Sequence, residues 1–451
     1  MQDQDSHQQG SHQKNPFSLQ ATSYYSGFKH AHDTYNAITA ASDGMIYYVL
    51  SSDSADQGGQ MFVYNPSTDQ IKFLGDLTEI CGEKAEHTIP QGKSHVEFYE
   101  YQGKLYFSTH VGVYEMREGI ERMPQHAGRE YPGGHFLSYD TVTGQFEDLC
   151  LVPLGEGIVT MTMDQERGHI YGITWPTGYF VHYDIHKKRL KYLGPVCVKG
   201  EAGIPGDSYR VLCRSLLVDP REGNVYCSTA EGSILKYSPH TQSINKENNV
   251  SLRLDYFGCY DFSQPGTMAY NWRKIIWNAA EGMAYGVHGN SGYLFRFDPD
   301  SRTVELIERI TSEPSRRSGM FDQFTYGYLG FQLGPDQQTL YYLTGGPIYE
   351  DGKRIEGEET IRVGAKGVEN LHLVTYHIGK RKYMDHGPVF FENGSRPSYV
   401  NSLTIGKDGA LYTLARFEYE GRQVHDLIKI AKPFRQNEQT INNSFIVQQE
   451  I

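Results

Sequence analysis

From residue 38 onward, apolar and polar positions alternate with a period of two in short runs, and turns rich in Asp, Gly or Glu break the runs. This is the pattern of half-buried strands joined by tight turns. Segments 38–52, 94–111, 159–175, 215–230, 275–289, 331–345 and 403–416 share one plan: an apolar-rich strand, a turn, then a strand with an aromatic at a comparable place. Most are followed by two more strand signals around a Tyr-Asp or Asn-Pro turn, as in MFVYNPSTDQIKFLG, HFLSYDTVTGQFEDL and YLFRFDPDSRTVELI.

Four strands recurring every 40 to 70 residues predict an all-β, seven-bladed β-propeller of four-stranded antiparallel blades. The expected boundaries are a flexible leader over 1–24, the propeller over 25–435, and a tail over 436–451 packed on it. Insertions at 112–133 and 346–369 are expected to overhang one mouth of the channel. Aligning the repeats puts His95 level with Asn36, Arg214, Arg273 and Asn401, and His110 level with Ser51, Trp175, Ala230, Gly289, Gly345 and Arg416. Loops arriving at that end add Lys29, His30, His32, Tyr209, Arg210, Arg316, Arg317, Arg396 and Tyr399.

Composition supports the strands: 34 Tyr, 48 Gly and 13% aromatic residues in 451. The formal charge of −12 argues against a general nucleic-acid binder, which needs clustered Lys and Arg. A net-acidic chain that gathers imidazole and guanidinium groups at one mouth focuses potential on an anionic ligand. No apolar run reaches the ~18 to 20 residues of a membrane span. The polar, Gln- and His-rich start is read as a leader without a signal peptide, with the export signal absent from this chain. A secreted, periplasmic or cell-surface monomer is expected. The six cysteines form no CxxC pair and give neither a zinc ribbon nor a disulfide framework.

Histidines, arginines and tyrosines without a paired carboxylate fit β-elimination of a uronic-acid polysaccharide better than glycoside hydrolysis, which needs two acids. A cation neutralises the uronate, a base takes the C5 proton, and an acid protonates the departing O4. Histidine suits the base near neutral pH. Tyrosine suits the acid, and a nearby arginine is expected to lower its pKa enough for it to serve as a base too.

The segments GKSHVEF and YFSTHVG, followed by SYRVLCRSLLVDPREGNVY, resemble the seven-bladed β-propeller polysaccharide lyases, most of all the ulvan lyases. The resemblance implies proton transfer by a His and a Tyr, and a second His and an Arg holding the uronate. On this sequence that points to His95 and His110, to Arg210 or Arg214 as clamp, and to Tyr209 or Tyr179 as the tyrosine. Arg273, Asn36, Asn401, Arg416, Trp175 and His30 are expected to bind substrate, with Trp175, Trp272 and tyrosines available to stack on sugar rings. No catalytic metal is expected. A structural zinc or calcium ion near Cys213, Cys227, Cys259 or His288 stays open. Two other functions compete: a propeller hydrolase of rhamnose–glucuronate linkages, and a non-catalytic glycan-binding propeller.

Overall fold

The computed structural model describes residues 19–125, 128–317, 330–345 and 371–431, and the backbone of 349–350 and 353–354. Within them the chain is all-β, with antiparallel sheets of four principal strands. Ile38–Ala40, Ile46–Ser52, Gln60–Asn65 and Gln70–Asp76 form the first, with Ala31–His32 added beside Ile46–Ser52. Tyr99–Tyr101, Lys104–Ser108, His135–Asp140 and Phe146–Leu151 follow, then Gly157–Asp164, His169–Trp175, Tyr179–Asp184 and Arg189–Pro195. Next come the sheet from Leu217–Asp219 to Ser243–Lys246, the sheet from Trp272–Asn278 to Thr303–Arg309, and the set Phe331–Leu333, Thr339–Thr344, His372–His377 and Lys382–Phe391.

The last set is completed from the other end of the chain. Thr404–Ile405, Leu411–Tyr419 and Arg422–Ile430 take Leu19–Ser23 as their fourth strand, antiparallel to Arg422–Ile430. Residues 19–23, expected in the leader, therefore belong to the sheets: Ala21 is buried, and Leu19–Ser23 also pairs in parallel with Lys382–Phe391. The rest of that leader and the 436–451 tail lie outside the described residues.

Why these turns form is visible in their side chains. Asp140 accepts from the backbone N–H of Val142 and Thr143 at 3.0 and 2.8 Å, and Asp184 does the same for His186 and Lys187. Asp298 and Asn65 repeat the device. Each is an Asx turn, which reverses the chain without spending a ladder bond.

First strands of successive sheets lie side by side: Gly157–Asp164 touches Leu217–Asp219, which touches Trp272–Asn278, which touches Phe331–Leu333. Ile38–Ala40 meets Thr404–Ile405, with Ala40 N donating to Thr404 Oγ1 at 2.9 Å, so the series closes on itself in a propeller-like fold. Lys274 reaches across, its Nζ 3.0 Å from Glu97 and 3.3 Å from Asn36 Oδ1.

A chain lacking residues 1–23 loses the strand that caps Arg422–Ile430 and Lys382–Phe391 and exposes both edges. Its Tm should fall by several degrees, the scale of a few lost ladder bonds at about 1 kcal/mol each. An unchanged melting curve would show that the strand does not close the fold.

Candidate active site

The 94–111 segment does not form one continuous ladder. Tyr99↔Tyr106 to Tyr101↔Lys104 keep one register, and an isolated bridge then pairs Lys93 with His110, two residues out of step. The extra residues lie in 94–98, outside the strand. The slip sets Lys93 opposite His110 in the backbone pairing, while His95, off the ladder, still packs against the His110 ring. Their ring centroids are 4.6 Å apart at 85°. His95 lies parallel to Tyr35 at 5.1 Å and 8°, and Trp175 and Tyr114 close around His110 at 5.4 and 6.1 Å. Among the described residues, the Nδ1 of His110 and the Nε2 of His95 have no hydrogen-bond partner. Room for His110 comes from the neighbouring sheet: a Cβ on Gly157 would stand 2.1 Å from its Nδ1.

Cations crowd this place. Lys93 Nζ sits 4.5 Å from the Tyr114 ring centroid. Arg214 donates to Glu201 at 2.6 Å. Glu201 also accepts from Trp175 Nε1 at 2.8 Å and Leu212 N at 2.9 Å, so one buried carboxylate fixes both the arginine and the indole behind His110. Arg273 differs from the rest. It is 3% exposed, its Nη1 donates to Met268 Sδ at 3.6 Å, and its Nε has no partner. Among the described residues no carboxylate pairs with it.

A bulge accounts for its aim. Trp272↔His288 and Lys274↔Val287 are one residue out of register, so Arg273 is the extra residue of its strand, as Val159 is in the sheet of His169–Trp175. Bulges re-aim a side chain in this way.

Burial and these charges set the protonation states. Desolvation, then His110, Lys93, Arg214 and Arg273, hold the His95 pKa well below its usual value. Desolvation, then Lys93 and Arg214, do the same for His110. Desolvation and Arg214 push Arg273 down to about 10, which leaves it cationic at neutral pH. Tyr35 and Tyr399, whose hydroxyls share a hydrogen bond, are both raised, chiefly by burial. The expected lowering of a tyrosine pKa by arginine is not what these two show: desolvation and Asp33 outweigh it at Tyr35, which holds its proton.

The other predicted residues are dispersed. Arg210 is engaged by Glu231 at 2.5 Å and by the carbonyls of Asp207 and Tyr209 at 2.8 and 2.6 Å. Tyr209 is buried among Ile120, Val211 and Met268. Tyr179 packs on Tyr192 at 4.8 Å, and exposed His30 lies 3.6 Å from Asp53. Asn36 N donates to Asn401 O at 3.1 Å, and Arg416 is gripped by Asp33. Trp272 is fully buried with its Nε1 on Ser215 O, and Trp175 is 2% exposed, so neither offers a face to a sugar, contrary to expectation. Tyr35, Asp33 and Glu201 were not anticipated, because their partners are distant in the chain.

Of the two insertions, the hairpin Glu115–Arg117 and Ile120–Arg122 stands at this mouth. Ile120 packs beside Met268, and Arg122 donates to Gly203 O at 2.9 Å. Most of 346–369 lies outside the described residues. Among the described residues no group of three or more His, Cys, Asp or Glu could hold a metal ion, and Cys213 and His288 are occupied by Ser215 O and Ser291. No described helix is long and apolar enough to cross a membrane.

No family model and no curated protein matches the chain. Solved structures that align with it include a chain from Bacteroides uniformis assigned as a 6-phosphogluconolactonase, 9% identical over 77% of this chain and 82% of that one, TM-score 0.44. A chain of a mitotic checkpoint complex is 8% identical over 95% and 96%, TM-score 0.49. A luciferin-regenerating enzyme is 12% identical over 76% and 92%, TM-score 0.42. Likeness at this level carries no argument about activity.

Acid should destabilise the protein. Burial also holds His182, His288 and His425 down to about 3. Each of these histidines, with His95 and His110, is neutral when folded but takes a proton near 6.5 when unfolded. The contribution of these five groups is thus full above pH 6.5 and falls below it, approaching about 1.4 kcal/mol per pH unit for each. His135, raised to about 11 against burial by Asp148, Cys81 and Glu83, contributes fully below pH 6.5 and loses that contribution as pH rises. Denaturant midpoints measured from pH 7.5 to 5 should fall, and His110→Asn should shallow the slope. A midpoint that rises over this range would contradict buried neutral imidazoles.

Proposed function

We propose that the protein is a seven-bladed propeller enzyme that cleaves an anionic, uronate-containing polysaccharide by β-elimination at the mouth holding His95 and His110. Support for the blade number comes from the strand sets that follow one another in chain order, the last closed by Leu19–Ser23. The observation that carries the activity is Arg273: a buried guanidinium with no carboxylate partner among the described residues, whose charge acts on the neutral imidazole of His95. Such a group favours a planar anion that pairs with it bidentately.

In this reading the uronate carboxylate lies on Arg273, and its neutralisation makes the C5 proton acidic. His95, held neutral, takes that proton through an imidazole nitrogen. The C5–H electrons form the C4–C5 double bond as the C4–O4 bond breaks, and the Tyr35 hydroxyl, held protonated, gives its proton to O4. Arg214, fixed by Glu201, adds a second cation facing the carboxylate, and neutral His110, edge-on to His95, walls the site as an uncharged group. A neutral base and a protonated phenol are the states the two steps require. The ulvan-type, sulfated substrate implied by the resemblance is part of the same proposal, as is action outside the cell.

Elimination makes a conjugated double bond that absorbs near 235 nm, so ulvan, glucuronan, pectin, alginate and glycosaminoglycans are screened by that absorbance. His95→Asn should lower product formation by about 10²-fold or more, the scale of a lost proton-transfer group. His110→Asn should lower it too by removing the ring against which His95 packs. Arg273→Met is the sharper test. Removing an uncompensated buried charge at similar volume should leave stability equal or higher, while activity falls at least as far. Substrate binding without absorbance would identify a glycan-binding propeller instead, and normal activity in both histidine variants would end the catalytic reading.

A further inference from the structure

Three groups beside the imidazoles have no step assigned to them: Asp33, Tyr399 and Arg416. Tyr399 has φ of 53°, in the left-handed region that bulky side chains avoid. Such a conformation costs about 1 to 3 kcal/mol and persists only where its surroundings impose it. Here they do. Its predecessor Ser398 is locked by two backbone bonds to Arg416, Ser398 N donating to Arg416 O at 3.0 Å and Arg416 N to Ser398 O at 2.8 Å. The Arg416 guanidinium then lies 4.3 Å from the Tyr399 ring centroid. Arg416 in turn donates from Nε to Asp33 Oδ1 at 2.7 Å, and from Nη2 to the same oxygen. Asp33 is buried, and on its other sides stand His32 at 3.6 Å and His425 at 3.9 Å.

The far end of this chain of contacts is the reacting pair. The Tyr399 hydroxyl meets the Tyr35 hydroxyl, and the Tyr35 ring lies parallel to the His95 imidazole. Tyr35 sits between Thr34 and Asn36 in a connection outside any strand, with Asn36 itself at φ 60°. Its own backbone is not held by a ladder, so its ring needs a tether from elsewhere.

We infer that Asp33, Arg416 and Tyr399 are positioning residues that hold the Tyr35 ring flat against His95 and so fix the plane of the imidazole and the place of the phenol hydroxyl. None of the three touches the substrate in this role. The effect on turnover rests on the proposed elimination; the effect on His95 does not.

The test uses the full chain with labelled histidine, reading the His95 imidazole resonances by NMR after assigning them through their loss in His95→Asn. Tyr399→Phe keeps the ring and removes the hydroxyl, and Arg416→Lys keeps the charge and removes the fork. Both should shift the His95 resonances, which sit under the ring current of Tyr35. Both should also lower kcat about 10- to 100-fold with KM within about twofold, as expected when a reacting group is misplaced and binding is kept. Unshifted His95 resonances in both variants overturn the inference, as does a shift with unchanged kcat. Should the native protein release no unsaturated product from any uronan, the elimination reading falls, and the resonances still decide whether the array holds Tyr35.

Discussion

A guanidinium taken out of water with no carboxylate partner among the described residues is the costly feature around which this site is arranged. The penalty for such a charge is several kcal/mol even after relaxation, and Arg273 bears it with a thioether as the partner of its Nη1. The frame makes this bearable. A bulge in Trp272–Asn278 aims the side chain, which is 3% exposed. Burial first, then His110, Lys93, Arg214 and Arg273, keep His95 neutral. Burial also keeps Tyr35 protonated. In the proposed elimination these are the states required of the base and the acid.

Compensation elsewhere sharpens the exception. Glu97 answers Lys274, Glu201 answers Arg214, Glu231 answers Arg210, and Asp33 answers Arg416. These acids tie separate segments together, from 13 positions apart at Glu201 and Arg214 to 383 at Asp33 and Arg416. Glu201 shows this best, since it holds an arginine, an indole and a backbone N–H at once. These four acids are each engaged by a cation, so the proposed elimination does not draw on a pair of carboxylates from this group.

The hairpins and their Asx turns were legible because alternation and turn chemistry are local. Side chains two apart share a face, and Asp before a turn caps its own backbone, so strand positions and the common mouth of His95, Arg214 and Arg273 could be read directly. Leu19–Ser23 was not legible as a strand because its partners are at the opposite end of the chain and the residues before it are polar. Arg210 and Arg214 looked equivalent on paper. Their difference lies in Glu231 and Glu201, which reach them from other segments. The bulge at Arg273 leaves no mark in residue types at all, and the tether on Tyr35 spans 383 positions between Asp33 and Arg416. What local pattern cannot encode is which distant side chain occupies a donor.

The slip in the 94–111 hairpin shows how little separates this site from an ordinary strand end. Continuing the register of Tyr99↔Tyr106 would have set His95 opposite His110; the bridge of Lys93 to His110 moves the pairing by two. Two is an even number, so the side chains keep the same face. Lys93, His95 and His110 therefore gather on one side, where an odd slip would have sent the imidazoles to opposite sides. The extra residues also free His95 from the ladder, letting its ring lie flat on Tyr35 while His110 stays wedged over Gly157. One histidine is thus set by the strand and its neighbour's missing Cβ, the other by the tyrosine it stacks on. That division explains why the chain needs both a rigid propeller-like frame and a separate tether from Asp33 to bring two imidazoles together.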